Sequence, residues 1–488
     1  MNRLDKNIWS ESYDLSVPLQ IPLENGCSLV CEEVVRAMPG RRYVCRGIYD
    51  GKPVFIKLFA LTNKAQRECK KEQQGICDLH EARIAAPNII YSKTLEEVET
   101  NVVVFTALLA AESAKYRWEQ GNETARQMLA MQLTELLSQH HAAGIRQTDC
   151  HLLNFVFSED VLYTLDAADI IKSEAPLSRN ASMDGLADML ALFEVKYDAL
   201  LPSLYEYYCQ CRDIDANSSE QEALLNKVVK LRDYKLRKYL DKIYRSCSEF
   251  IAKKNWWKIS IHRRDTDGTC VKLLVDDPDK PLPESQYSIL KDGNTCTVSL
   301  MDTPKQKLVC KRYNIKNAWH GLMRAFRDSR ASRSWRNAHR LKRLFISTPQ
   351  PLALIEQRFG PIRRKAWLLM PYIAGDSAYA FFRDKRKTNQ QHIAVSQFVI
   401  LFNKLLAAKV SHGDMKATNF IFSDDELFVI DLDSMQQHNN AADFATAFRK
   451  DMQRFMRNWQ ELPEIETLFV EQLSTTSVAE FLPVAIKG

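Results

Sequence analysis

The 488-residue sequence has no apolar run long enough to cross a bilayer. Its longest, VVVFTALLAA at 102–111, falls far short of the ~20 residues a spanning helix needs. That excludes a membrane-spanning helix but not contact with a membrane surface. The opening MNRLDKNIWS is polar and charged and lacks the pattern of a secretory leader. The 12 cysteines are therefore expected as free thiols of a reducing cytosol, and Cys45, Cys69, Cys150, Cys296 and Cys310 lie inside apolar runs. Cys27 with Cys31, and less well Cys209 with Cys211, have spacings compatible with zinc, but no matching second pair follows and structural thiols are expected. An excess of one charge is also missing: 67 Lys and Arg against 61 Asp and Glu leave +6. Charge alone thus predicts no nucleic-acid partner, and no recognition motif suggests one. What is present is an ordinary globular composition, 45% hydrophobic and 26% charged, enough to bury sizeable cores.

The length suits two domains of about 240 residues, and the chain repeats itself at that period. KPVFIKLFA (52–60) is a β-rich run with Lys57 in its middle, and QKLVCKRYN (306–314) places Lys311 alike. A charged helical stretch follows each, ending in RIAAPNII (83–90) and FISTPQPLALI (345–355). Then come VVVFTALLAAESA (102–114) and AWLLMPYIAGDSA (366–378), each a buried strand, a bend, an acid and Ser-Ala. A long amphipathic helix leads from each to QTDCHLLN (147–154) or HGDMKATN (412–419), and an apolar hairpin then ends in an aspartate. The spacings agree: Asp149 to Asn154 and Asp414 to Asn419 are both 5 positions, and Asn154 to Asp166 and Asn419 to Asp431 are both 12. We expect an α+β protein of two tandem domains, 1–250 and 251–488. The basic stretch KVVKLRDYKLRKYLDKIYRSC (227–247) would close the first, and a Pro-rich acidic loop (275–286) would lie near the start of the second.

The pattern Asp-x4-Asn, hairpin, Asp gathers one proton acceptor and two oxygen ligands. The first Asp, on a loop, can take a proton from a hydroxyl, while the Asn and second Asp are hard ligands suited to Mg2+. An upstream strand lysine supplies positive charge for a polyphosphate. Together these are the parts for phosphoryl transfer from ATP. In the second half Asp414 would be the base, Asn419 and Asp431 the metal ligands, Lys311 the phosphate contact, and Lys416 a charge on the transferring group. The first half offers Asp149, Asn154, Asp166 and Lys57, with His151 where the other has Lys416.

SHGDMKATNFIFSDDELFVIDLDSM and the arginine-rich KRYNIKNAWHGLMRAFRDSRASRSWRNAHRL resemble the bacterial lipopolysaccharide core kinases, which phosphorylate heptose or 3-deoxy-octulosonate sugars. QTDCHLLNFVFSEDVLYTLDAADI resembles them in a variant spelling. The resemblance implies a protein-kinase-like bilobal fold in each half, ATP with Mg2+, and an acceptor hydroxyl on a glycolipid sugar of the inner core. It also implies a cytoplasmic protein, with peripheral contact at the inner membrane.

The departures are specific. Kinase-like folds pair the strand lysine with a helix glutamate; Glu68 and Glu72 are candidates in the first half, whereas RASRSWRNAHRL in the second has no acid. Neither half has a full glycine-rich phosphate loop, MPGRRY (38–43) and KDGNTC (291–296) being the stand-ins. No arginine precedes the catalytic Asp, and no activation segment or Ala-Pro-Glu follows Asp431, which disfavours a peptide substrate. A tandem kinase and pseudokinase scaffold in envelope assembly is the alternative. Residues 311–343 hold 11 cations and one acid, Asp328. They fit either a solvated helix face or an anion site for acidic glycolipid or membrane. Trp319, Phe326 and Trp335, interleaved there, fit lipid contact or core packing.

Overall fold

The computed structural model describes residues 2–9, 15–23, 27–266, 275, 278, 287–314 and 328–483. The expected loop at 275–286 lies outside these apart from 275 and 278, as do Trp319, Phe326, Lys316, Arg324 and Arg327. The structure mixes helix and strand. Contacts divide the chain into two compact units, Met1–Asp233 and Tyr234–Gly488. The division falls within the helix Ser218–Lys242, inside the basic stretch 227–247 and N-terminal to the expected boundary at 250. The end of that basic stretch therefore does not close the first unit. Leu236, Tyr239, Leu240 and Ile243, at helical spacing, pack with Phe250 and Trp335 of the second.

In the first unit a seven-stranded sheet runs, edge to edge, Asn2–Arg3, Leu19–Ile21, Leu29–Met38, Arg42–Tyr49, Lys52–Ala60, Thr100–Thr106 and Ile89–Leu95. Strand periodicity divides its side chains between two cores. Ile56, Leu58, Val102 and Val104 join one, and Phe59, Val103 and Phe105 join the other, which the helices complete. The helix Asn63–Glu81 starts where the Thr62 hydroxyl accepts the Ala65 N–H. It buries Ala65, Cys69, Glu72, Ile76 and Leu79, so a carboxylate sits on its apolar face. The helix Glu123–Ala142, capped by Asn122, leads to the loop that carries Asp149.

The second unit has its own seven-stranded sheet, ordered Phe250–Lys254, Lys258–Arg263, Ala353–Phe359, Ile362–Pro371, Lys307–Tyr313, Cys296–Asp302 and Tyr287–Gly293. Five strands follow the same order in both sheets, and the two added strands lie on opposite edges. A core built on Phe398, Phe402, Phe420, Phe455, Trp459 and Phe469 holds its helices. The helix Arg330–Arg343 corrects the picture of a solvated basic face. Ala331, Trp335, Ala338 and Leu341 are buried, and Trp335 lies 5.7 Å from Phe250, so it is core. Arg340 is buried as well, and desolvation with nearby Arg336 pulls it down to about 10. Arg333, Lys342 and Arg343 are the exposed cations of that helix. Cys31, Cys45, Cys69, Cys209 and Cys296 are buried free thiols.

Candidate active site

Each unit brings its strand lysine to the aspartate that follows its small hairpin. In the first, Lys57 Nζ lies 2.6 Å from Glu72 Oε1 and 3.3 Å from Asp166 Oδ1. This separates the two candidate glutamates, because Glu68 instead accepts from Arg41 Nε at 2.8 Å. Burial would raise the Asp166 carboxyl, but the charges of Lys57 and Arg42 outweigh it and hold Asp166 below the usual carboxylate range. Arg42 is itself buried, with Nη1 3.8 Å from Asp166. It opens the strand Arg42–Tyr49, just after the turn at 39–41, so the stand-in for a glycine-rich loop contributes a guanidinium.

Asp166 and Asp431 both adopt the left-handed backbone region, with φ of 58° and 60°, and each opens a single 3-10 turn. Such a conformation is uncommon outside glycine and collects at functional sites. The asparagines are tied to the same loops. Asn154 Nδ2 donates to the Asp149 carbonyl at 2.9 Å, and Asn419 Nδ2 to the Asp414 carbonyl at 2.7 Å. Their own carbonyls accept the N–H groups of Leu165 and Ile430, the residues just before the two aspartates. With its nitrogen spent on the loop, each amide keeps its oxygen for a cation. Amide plus carboxylate oxygen is a donor set that fits Mg2+, which binds through few protein oxygens and the substrate phosphates.

The second unit solves the missing helix acid differently. Lys311 Nζ lies 2.5 Å from Asp431 Oδ1 and 3.9 Å from Asp433 Oδ2. Asp433, almost fully buried, also takes Arg330 Nη2 at 2.6 Å and Nε at 2.9 Å. The helix thus brings a cation where the first unit's helix brings a carboxylate, and the compensating acid sits two residues after Asp431. Ser334, buried on that helix, bonds the Tyr313 hydroxyl at 3.0 Å rather than the lysine. Burial works against the Lys311 charge, but Tyr313, Asp431 and Asp433 outweigh it and raise its pKa. Asp431 is held low in turn, burial being outweighed chiefly by Lys311.

Around the proposed bases the units diverge. Asp414 Oδ1 is 3.2 Å from Lys416 Nζ and 3.1 Å from Arg454 Nη1. Asp149 is exposed and makes no ion pair among the described residues. His151, in the place of Lys416, uses Nδ1 to accept the Leu153 N–H at 3.2 Å, so it caps the turn. Two anchors escaped the sequence reasoning. Asp451, on the helix Ala441–Met456, accepts the N–H of His412 at 2.6 Å and of Gly413 at 3.0 Å. Burial raises its pKa against those bonds. Gly413, with φ +78° and the Ser434 carbonyl 2.7 Å from where a Cβ would sit, admits no side chain. No spacing in the chain marks Asp451; Asp433 had a signal in the second acid of Asp-Leu-Asp.

Comparison with known proteins gives a family match over one part of the chain. A model of the lipopolysaccharide kinase (Kdo/WaaP) family matches residues 284–482. No curated protein matches the chain. Among solved structures, vaccinia related kinase 3 is similar at 10% identity and a TM-score of 0.31, over 49% of this chain and 95% of that one. The bifunctional kinase-methyltransferase WbdD is similar at 13% identity and a TM-score of 0.32, over 43% of this chain and 53% of that one. The family match supports a kinase.

Proposed function

We propose that the chain is an ATP-dependent phosphotransferase acting on a sugar hydroxyl of the lipopolysaccharide inner core. In this reading it has two tandem kinase-like domains, and it works at the cytoplasmic face of the inner membrane. The observation that carries it is the convergence, in each unit, of a half-buried strand lysine on an aspartate in a left-handed turn beside an Asp–Asn loop.

Asp414 and Asp149 would accept the proton of the sugar hydroxyl as it attacks. Lys57 and Lys311 would contact the α- and β-phosphates, leaving the aspartates they now pair with. Glu72 holds Lys57 in place meanwhile. Asn154 with Asp166, and Asn419 with Asp431, would hold Mg2+, which when bound neutralises phosphate charge. Lys416 and Arg454, both near Asp414, would offset charge on the transferring group.

The test is transfer of labelled phosphate from ATP to dephosphorylated core oligosaccharide by the wild type, Asp149→Ala and Asp414→Ala. Loss in one variant assigns transfer to that unit. Undiminished transfer in both sinks the assignment, and label in added protein but not in sugar favours a protein kinase. A second reading, in which the second unit only binds, is favoured by one observation: its lysine has no helix carboxylate and pairs directly with Asp431.

A further inference from the structure

Two hairpin tips of the second unit's sheet lie side by side, because Lys258–Arg263 pairs with Ala353–Phe359. The turn between Phe250–Lys254 and Lys258–Arg263 carries Trp256 and Trp257, and the turn between Ala353–Phe359 and Ile362–Pro371 begins with Phe359. Both indoles are 60% exposed and Phe359 is 50% exposed. The tips are bonded together: Gly360 N–H donates to the Trp256 carbonyl at 2.9 Å and Arg358 N–H to the Trp257 carbonyl at 2.7 Å. The Phe359 ring stands 6.3 Å from Trp256 and 5.3 Å from Trp257. Gly360, with φ +58°, leaves room for the Trp256 ring, which lies 2.8 Å from where its Cβ would be. Three large aromatics are therefore held side by side, facing water, by backbone bonds.

The surroundings have one sign. IAKKNWWKI (251–259) and QRFGPIRRK (357–365) contain seven cations and no Asp or Glu. Glu356 takes Arg358 and Asp328 takes Arg363, while Lys253, Lys254 and Arg364 are exposed. Indole suits the boundary between headgroup and acyl chain, having an apolar body and one N–H. Lysine and arginine beside it are drawn to an anionic leaflet. A convex tip with this pairing complements a flat, negatively charged surface.

We propose that these paired tips dock on an anionic lipid bilayer, with Trp256, Trp257 and Phe359 entering the headgroup region and Lys253, Lys254 and Arg364 facing lipid phosphates. The inference rests only on the membrane contact within the functional reading. Docking is measured without ATP or sugar, so its failure and that of phosphotransfer are told apart.

The full chain is sedimented with vesicles of phosphatidylcholine alone or with added phosphatidylglycerol. Binding is expected only with phosphatidylglycerol, weakening as salt rises. Trp256→Ser with Trp257→Ser abolishes it. Lys253→Gln with Lys254→Gln weakens it by about twenty-five-fold, from roughly fivefold per cation. Tryptophan emission quenched by brominated lipid in the wild type alone supports insertion of these indoles. Should the double Trp variant melt early, the lysine variant decides, since both its positions are exposed strand residues. No binding by the wild type, or equal binding by the variants, overturns the proposal. A wild type that self-associates without vesicles, and a monomeric Trp variant that still binds them, overturns it in favour of contact between copies.

Discussion

Removing the Asp433 carboxylate tests how the second unit keeps two cations beside one another. Asp433→Asn leaves Arg330 facing a neutral amide and Lys311 with Asp431 alone. The side chains are 4% exposed for Asp433, 14% for Lys311 and 30% for Arg330. Breaking a buried pair by deleting one partner costs about 3–5 kcal/mol, because the other charge stays desolvated. Arg330 reaches water, which places the expected loss near the lower figure, about 3 kcal/mol. Arg330→Met combined with Asp433→Asn removes both charges and leaves the 2.5 Å Lys311–Asp431 pair intact. The double variant should therefore be more stable than Asp433→Asn alone, with a coupling of about 1–3 kcal/mol. Urea unfolding supplies the energies, and hydrogen exchange of Arg330–Arg343 reports whether the loss is local. A cost for Asp433→Asn under about 1 kcal/mol, or strict additivity in the cycle, would falsify the charge-compensation argument.

Glu72→Gln should weaken ATP binding to the first unit and Glu68→Gln should not, since only Glu72 holds Lys57; equal effects would contradict the geometry. Burial depresses His140 to about 4, and burial with nearby His140 and Arg212 depresses His141 to about 3. Their folded pKa values lie below the unfolded ~6.5, so this stability is complete above that pH and is lost as pH falls toward 4. Each adds a slope of up to about 1.4 kcal/mol per pH unit; a urea midpoint unchanged between pH 7 and 5 would refute it. Asp451→Asn should cost about 1–3 kcal/mol, by losing a charge-assisted acceptor of two backbone N–H groups, and should lower transfer by the second unit while leaving ATP binding to the first unchanged.

The order of elements was legible because it rests on local signals. Lys57 and Lys311 stand in apolar β runs, and the Asp–Asn spacing of five is fixed by one short loop. For Trp335 the sequence left core packing and lipid contact open, since an arginine-rich helix does not show which residues will cover it; the structure has it in the core. The contact division lies N-terminal to the expected boundary for a related reason. Leu236, Tyr239 and Ile243 show helical periodicity, and periodicity does not say which core a face will join. Asp451 and Arg454 were invisible because they act across 38 and 40 positions respectively, on a helix whose pattern is that of any amphipathic segment. Asp433 was within reach of the sequence, but the search for a lysine partner looked only at the helix.

The two units place their charges in complementary ways, and this bears on which one transfers phosphate. In the first, positive charge gathers at Asp166, beside which Lys57 and Arg42 lie, and Glu72 holds the lysine. At its proposed base, Asp149, there is no ion pair among the described residues, and His151 spends its Nδ1 on a turn. In the second, Lys416 and Arg454 flank the base itself, where charge on the migrating phosphoryl group would develop. The helix glutamate, which alone would favour the first unit, orients a lysine but adds nothing at the reacting atoms. Preorganised cations at the point of transfer are typically worth about a hundredfold or more each in rate. Asp414→Ala should therefore abolish most transfer to sugar, and Asp149→Ala should spare most of it. The opposite order would show that nucleotide orientation, not charge at the base, sets the rate.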